Sequence, residues 1–237
     1  MNIAIIQSRM GSQRLPGKMM KKIGNHTVIE WVIKRLKKSK SINQIILTTS
    51  RKKKDIIFKK ISQKLKVNFF AGDEKDVLGR FLSSVSNIKK ANIIRICADN
   101  PFIDPQQIDL LTSTYSKNKF DYVCNHQNRI NSRYADGFGA EILSLDLLKK
   151  LNKIATNKEY REHVTLYIWK NKKKFKIHSI KAAKNLAYPD LRFDIDTPED
   201  YKMIKNLVKK FRININTKAE KIIRFKLEEL RELNLKK

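Results

Sequence analysis

Very little in this chain of 237 residues speaks for a disulfide-stapled, membrane-spanning or repetitive protein. Its two cysteines, Cys97 and Cys124, make no disulfide framework, and Cys97 lies in an apolar run that assigns it to core packing. Seven glycines and five prolines leave no linker rich in either residue, and no internal repeat is present. No apolar stretch approaches the roughly 20 residues of a membrane span. The first apolar run, Ile3–Ile6, is too short for a signal segment and turns polar at Gln7, so a cytoplasmic protein is expected. Acidic residues are few: 23 against 52 Lys and Arg, a net charge of +29. Such a charge points first to nucleic acid. No zinc-finger spacing or RNA-binding aromatic motif accompanies it. The lysines are spread along the chain, as in Arg51–Lys54, Lys59-Lys60, Lys172–Lys174 and Lys209-Lys210, which reads as solvated faces. A hydrophobic content of 41% excludes disorder and allows one sizeable core.

Strand-like and helix-like segments alternate along the first half. Ile3–Ile6, Gln44–Thr49, Val67–Phe70 and Asn92–Cys97 read as strands. Between them, Val28, Ile29, Val32, Ile33 and Leu36 fall on one helical face after a Thr27 cap. Ile56, Ile57, Ile61 and Leu65 mark a second helix, and Val77, Leu78, Phe81, Leu82 and Val85 a third. This order predicts a mostly parallel sheet with helices on both faces. The second half is less regular. Helices are expected from Pro105 to about Tyr115, at Leu145–Leu151, at Glu159–Trp169, after the Thr197-Pro198 start signal, and at Lys218–Leu235. Strands are expected at Asp121–Cys124, Phe175–Ile180 and Leu191–Ile195, and the polar stretch from Asn125 to Gly139 reads as a functional loop.

The most informative segment is Gln7-Ser8-Arg9-Met10-Gly11-Ser12-Gln13-Arg14-Leu15-Pro16-Gly17-Lys18, between the first strand and its helix. Cations and glycines here suit a loop that cradles a polyphosphate on side chains and backbone N–H groups. It departs from the ATPase loop, which has four residues between its glycines and a Ser or Thr after the lysine. Here Gly11 and Gly17 are separated by five residues and Met19 follows Lys18, so no hydroxyl is offered to Mg²⁺. A metal-bound nucleotide would need carboxylates from elsewhere. Ligands bind at the carboxyl ends of parallel strands, where Asp99 follows one strand and Asp194 and Asp196 end another, on the same side of it. Mg²⁺ is commonly held by one or two carboxylates plus phosphates. Asp99 and Asp196 are the candidate ligands, with Asp194 assisting.

With the loop and the carboxylates together, the chain resembles the cytidylyltransferases that make CMP-activated acidic sugars. These include CMP-3-deoxy-manno-octulosonate synthetase and CMP-sialic acid synthetase, and the likeness extends to the spore-coat polysaccharide biosynthesis branch. Besides Gln7–Lys18 it rests on Gly72–Arg80, Arg95–Pro101, Asp136–Glu141, Arg161–Thr165 and Asp194–Asp200. The resemblance implies an α/β, Rossmann-like, mostly parallel sheet flanked by helices, of nucleotide-diphosphosugar transferase type. It forms a single nucleotidyltransferase domain with an acceptor-site and dimerisation insertion around residues 125–170. The implied reaction is attack of an acidic sugar on the α-phosphorus of CTP, with pyrophosphate leaving, by a homodimer using Mg²⁺.

By the resemblance, Arg9 and Lys18 hold the triphosphate, Arg14 assists, and Ser8, Gly11 and Ser12 line the phosphates. Asp99 and Asp196 bind the metal. Arg80, with Ser50 and Arg51 behind it, stands near base and ribose. Asp136, Glu141, Arg161 and His163 face the acceptor, and Arg161 or Arg133 would pair with its carboxylate. Glu141 has an alternative role, fixing the loop by accepting backbone N–H bonds, and His163 that of a structural helix residue. The stretch Asn125-His126-Gln127-Asn128-Arg129 departs from the branch's sugar-binding loop. The rival readings are transfer to a sugar phosphate or phosphonate, and a basic nucleic-acid-binding protein.

Overall fold

A computed structural model describes residues 1–127 and 129–235. Asn128 of the expected acceptor loop lies outside the described residues. In chain order the elements are β1 (Asn2–Gln7), β2 (Lys22–Ile23), β3 (His26–Thr27), α1 (Val28–Leu36), β4 (Gln44–Ser50), α2 (Ile57–Lys64), β5 (Asn68–Gly72), α3 (Val77–Ser83) and β6 (Asn92–Cys97). There follow α4 (Pro105–Lys117), β7 (Tyr122–Cys124), β8 (Glu141–Ser144), α5 (Leu145–Ile154), α6 (Lys158–Glu162), α7 (Leu166–Lys170), β9 (Ile177–Ser179), α8 (Pro198–Phe211) and α9 (Ala219–Asn234).

Seven strands form one sheet in the order β5-β4-β1-β6-β8-β7-β9. Only β8 runs against its neighbours. The parallel half is built from apolar runs buried on both faces. In β1 the side chains alternate between two cores: Ala4 and Ile6 pack with α1, α2, α4, α8 and α9, and Ile3 and Ile5 with α3, α5 and α7. Thr27 starts α1 with a capping box to Glu30, and Thr197 starts α8 with one to Asp200 and Pro198 at the first turn, both as their sequences dictate. Asp104 caps α4 and also accepts from the Ala219 amide, which ties the start of α9 to the end of the β6 loop.

The topology reverses direction at β1, which pairs with β4 on one side and β6 on the other. Gln7 at the end of β1 is in register with Cys97 at the end of β6. The loop starting at Ser8 and the turn carrying Asp99 therefore emerge side by side, at the switch point where α/β sheets open a crevice.

Four sequence expectations are corrected. Residues 191–195 do not form a ladder strand; they run extended and join Asp136 through one isolated bridge at Arg192. The expected strand Phe175–Ile180 shrinks to β9. The expected helix Glu159–Trp169 is two helices, α6 and α7, broken over His163–Thr165. Cys97 joins neither apolar core. It is half-buried at the end of β6, where desolvation and the neighbouring carboxylates push its thiol up to about 12. Cys124 does pack in the core. The runs Lys52–Lys54, Lys59-Lys60, Lys172–Lys174 and Lys209-Lys210 are exposed, as expected of solvated faces.

Candidate active site

The loop after β1 is folded by its own sequence. Its start is pinned by the Ser8 amide on Thr48 O at 3.0 Å and by the Met10 amide on Asp55 Oδ1 at 2.7 Å. Asp55 is fully buried and also accepts from Ser50 Oγ, so the second strand's end holds the loop. Leu15 is buried, and its amide bonds Ser12 Oγ at 3.3 Å. Gly17 then takes a left-handed conformation (φ +66°) that a side chain would strain, and opens the single helical turn of Lys18–Met20. The Ser8 hydroxyl is buried and has no hydrogen-bond partner among the described residues. Such an unmet donor is what a bound phosphate oxygen satisfies.

That turn aims Lys18 across the crevice. Its ammonium lies 3.0 Å from Asp99 Oδ2, 3.0 Å from Asp196 Oδ1 and 2.8 Å from Ile195 O. Burial alone would lower its pKa, but the two carboxylates outweigh burial and hold it above the ordinary lysine value. The last segment is fixed to β6 by the Ile195 amide on Asp99 O at 2.9 Å, and the Asp196 and Thr197 amides both donate to Asp200. Arg14 pairs with Asp196 at 3.1 Å. The structure therefore brings together Lys18, Asp99, Asp196 and Arg14.

The donor set fits one Mg²⁺ ligated by Asp99, Asp196 and nucleotide phosphates, because both carboxylates already converge on a single cationic centre, the Lys18 ammonium. It does not fit a three-carboxylate cage. Among the described residues no three His, Cys, Asp or Glu side chains gather as a metal cluster. Asp194 turns both oxygens to Arg192, at 3.1 and 2.6 Å. Arg192 also reaches Asp196 at 3.9 Å, which places both aspartates on one side of the segment. Sequence reading missed Arg192; its alternation with Asp194 and Asp196 was the available signal.

On the β5 side, Arg80 is buried and donates to the carbonyls of Asp73 and Glu74. Burial, followed by the nearby Arg9 charge, lowers its pKa. Arg9 itself is half-exposed and pairs with Glu162 of α6 at 3.6 Å. Arg51 is exposed, whereas Ser50 is buried and bonded to Asp55. Arg161 bonds Asp76 at 2.6 Å and both the carbonyl and the side chain of Asn152. His163 is exposed at the end of α6.

On the β6 side, the backbone of Asp136 is tied to the 191–193 segment by two hydrogen bonds. Its carboxyl accepts from Gln127 at 3.3 Å, and burial together with Asp194 pushes its pKa up to about 7. Glu141 is fully inside. It does not accept loop N–H bonds, contrary to the expectation above, but takes side-chain donors. Arg95 lies at 2.7 Å, Tyr122 at 2.5 Å and Thr165 at 3.1 Å, with His126 Nε2 at 3.7 Å. Burial is the largest single influence and favours the acid, but Arg95, His126 and the Tyr122 hydrogen bond together outweigh it and the carboxyl falls to about 2. This network joins β6, β7, β8, the loop and the start of α7, beneath the β6–β8 side of the crevice.

The switch-point crevice gathers a basic loop, a lysine and two converging aspartates, and the family match makes the chain a nucleotidyltransferase. A family profile described as cytidylyltransferase matches residues 3–236, and the chain belongs to that family. An uncharacterised protein of Methanocaldococcus jannaschii is 38% identical over 223 residues, covering 94% of this chain and 89% of that protein. The spore coat polysaccharide biosynthesis protein SpsF of Bacillus subtilis is 33% identical over 211 residues, covering 87% and 85%. The solved structure of a cytidylyltransferase from Leptospira borgpetersenii superposes with a TM-score of 0.88 at 30% identity, covering 98% of this chain and 96% of that one.

Proposed function

We propose that this cytidylyltransferase transfers CMP from CTP to an acidic sugar of nonulosonic or octulosonic type, releasing pyrophosphate, for surface polysaccharide synthesis. The observation that carries the reading is Lys18 bridging Asp99 and Asp196 at the end of the phosphate loop. The acceptor class is supported by the resemblance set out above, and the polysaccharide destination by the name of the Bacillus relative.

In this reading the acceptor hydroxyl oxygen forms a bond to the α-phosphorus as the bond to the β-phosphate oxygen breaks, and the hydroxyl proton is lost. Positioning and charge neutralisation are the main demands on the protein. Lys18, Arg9 and Arg14 would bind the triphosphate and offset the charge gathering on pyrophosphate. Ser8 would donate its free hydroxyl to a phosphate oxygen. Asp99 and Asp196 would hold Mg²⁺, which when bound neutralises phosphate charge and acidifies the attacking hydroxyl. Asp136 stands on the acceptor side, with an acidity suited to proton exchange near neutral pH. Arg161, bonded to Asp76 and Asn152, supports α6 in this reading, and Arg192, held beside Asp194 and Asp196, is the cation for a sugar carboxylate. We place the dimer contact in the 125–170 region, where Ile130 is 56% exposed. No helix among the described residues is long and apolar enough to cross a membrane.

The test is pyrophosphate release from CTP over a panel of acceptors. Turnover with a nonulosonic or octulosonic acid supports the reading. Turnover only with a sugar phosphate or phosphonate replaces the acceptor and keeps the transfer.

A further inference from the structure

A groove with a cavity volume of about 780 Å³ opens between the β2–β3 hairpin, α8 and the chain leading to α9. That volume is within the range of small-molecule sites, roughly 300–1,000 Å³. Its lining includes Lys22, His26, Lys205, Lys209 and Arg212, with no carboxylate. Elsewhere the chain's cations often find acids, as in Lys64 with Glu30, Lys210 with Glu232 and Lys226 with Glu229. Among the described residues, Lys22, Lys205, Lys209 and Arg212 have no ion pair. Four fixed charges facing one groove without a counter-charge repel one another and concentrate anions there.

The remaining lining narrows the ligand. The Tyr201 ring has Lys21 at 5.5 Å and Lys205 at 6.0 Å from its centroid, and its hydroxyl donates to Lys22 O at 2.7 Å. The groove also holds three asparagine residues, while Trp31 at its lining is 2% exposed and its indole N–H donates to Ile23 O. The Tyr201 ring, the amides and the uncompensated cations in one groove match a base together with its phosphates. We propose that this groove binds a nucleoside polyphosphate, separately from the transfer site. The two sites share short stretches of chain: Lys18 leads into Lys22, and Asp196 leads through the α8 cap into Tyr201. Occupancy of the groove is therefore positioned to act on Lys18 and Asp196.

The test is titration of the full chain with ATP, tripolyphosphate and a short single-stranded oligoribonucleotide. Wild type, the double variant K205E/K209E and the variant Lys18→Ala are compared, and circular dichroism confirms folding. Both lysines are exposed on α8 and lie outside the transfer machinery. Expected is ATP binding that weakens at least about tenfold in K205E/K209E, survives in Lys18→Ala, and leaves CTP-dependent pyrophosphate release in K205E/K209E at the wild-type rate without ATP. ATP binding that is unchanged by K205E/K209E, or lost with Lys18→Ala, overturns the site. Tripolyphosphate binding as tightly as ATP overturns the nucleoside part. Preferred, steeply salt-dependent binding of the oligoribonucleotide overturns the proposal in favour of nucleic acid.

Discussion

The Lys18 ammonium and the Asp99 carboxylate lie 3.0 Å apart although 81 residues separate them in sequence. The register of β1 with β6 makes the pair: Gln7 opposite Cys97 brings the two following loops to one edge of the sheet. Asp196, tied to Asp99 through the Ile195 amide, completes a triangle in which one cation holds two anions together. In the reading proposed above, an entering triphosphate would compete for the lysine and release both carboxylates to a divalent cation.

Replacing Lys18 with methionine keeps most of the apolar stem and removes the charge. Asp99 and Asp196 then lose the cation they share, although Asp196 keeps Arg14, and in the proposed reaction the triphosphate loses its most buried positive contact. We expect kcat to fall about 10²–10³-fold, the range seen when one preorganised electrostatic group is removed. Steady-state pyrophosphate release measures it. A kcat within a factor of about two of wild type would remove Lys18 from the mechanism.

The Asp99→Asn substitution preserves shape and one acceptor atom. The fold should be retained, read by an unchanged circular dichroism spectrum. Activity should fall roughly 10²-fold, and the Mg²⁺ concentration giving half-maximal rate should rise. An Mg²⁺ titration separates this from a general loss. Wild-type activity at limiting Mg²⁺ would mean that Asp99 is not a ligand.

The parallel half of the sheet, its flanking helices and the caps at Thr27 and Thr197 were legible in the sequence because each follows from local periodicity and local capping chemistry. Lys18, Asp99 and Asp196 were legible because each follows or ends a readable extended segment. What escaped was long-range. β8 reverses direction in an otherwise parallel sheet, and its four residues carry no pattern distinct from a loop end. The 191–195 segment looks like a strand by composition but finds only one bridge, since Asp136 offers it no ladder. Glu141 sits in a motif that reads as a ligand site, yet its partners come from β6, β7 and α7, and no sequence spacing announces them. Arg161 likewise meets Asp76, 85 residues away.

Asp55 carries a prediction that sequence reading did not supply. It is buried and accepts from the Met10 amide and the Ser50 hydroxyl. In Asp55→Ala two buried donors lose their acceptor, at a cost of about 2–4 kcal/mol in stability. The same change frees the start of the phosphate loop, so KM for CTP should rise more than kcat falls. Urea denaturation and a CTP titration check the two halves. A large stability loss with unchanged KM would show that the loop is held by other contacts.

The Glu141 network predicts the acid limb of stability. Burial alone would raise the Glu141 pKa, but Arg95 and the other donors bring it from an ordinary 4.5 to about 2. The unfolded chain therefore takes up that proton first. The stabilisation is complete above pH 4.5 and is lost as pH falls towards 2, in all about 3 kcal/mol. His126 is displaced downwards too, by burial first, from 6.5 to about 4. It folds neutral, so the unfolded chain again binds the proton first and stability declines as pH falls from 6.5 to 4. Wild-type urea midpoints should accordingly decline in two overlapping stages below pH 6.5. His126→Gln should flatten the upper stage. Glu141→Gln should be destabilised by about 3 kcal/mol at pH 7, because Arg95 is left buried without its anion, and its gap to wild type should close between pH 4.5 and 2. A gap independent of pH would show that Glu141 contributes shape and not charge.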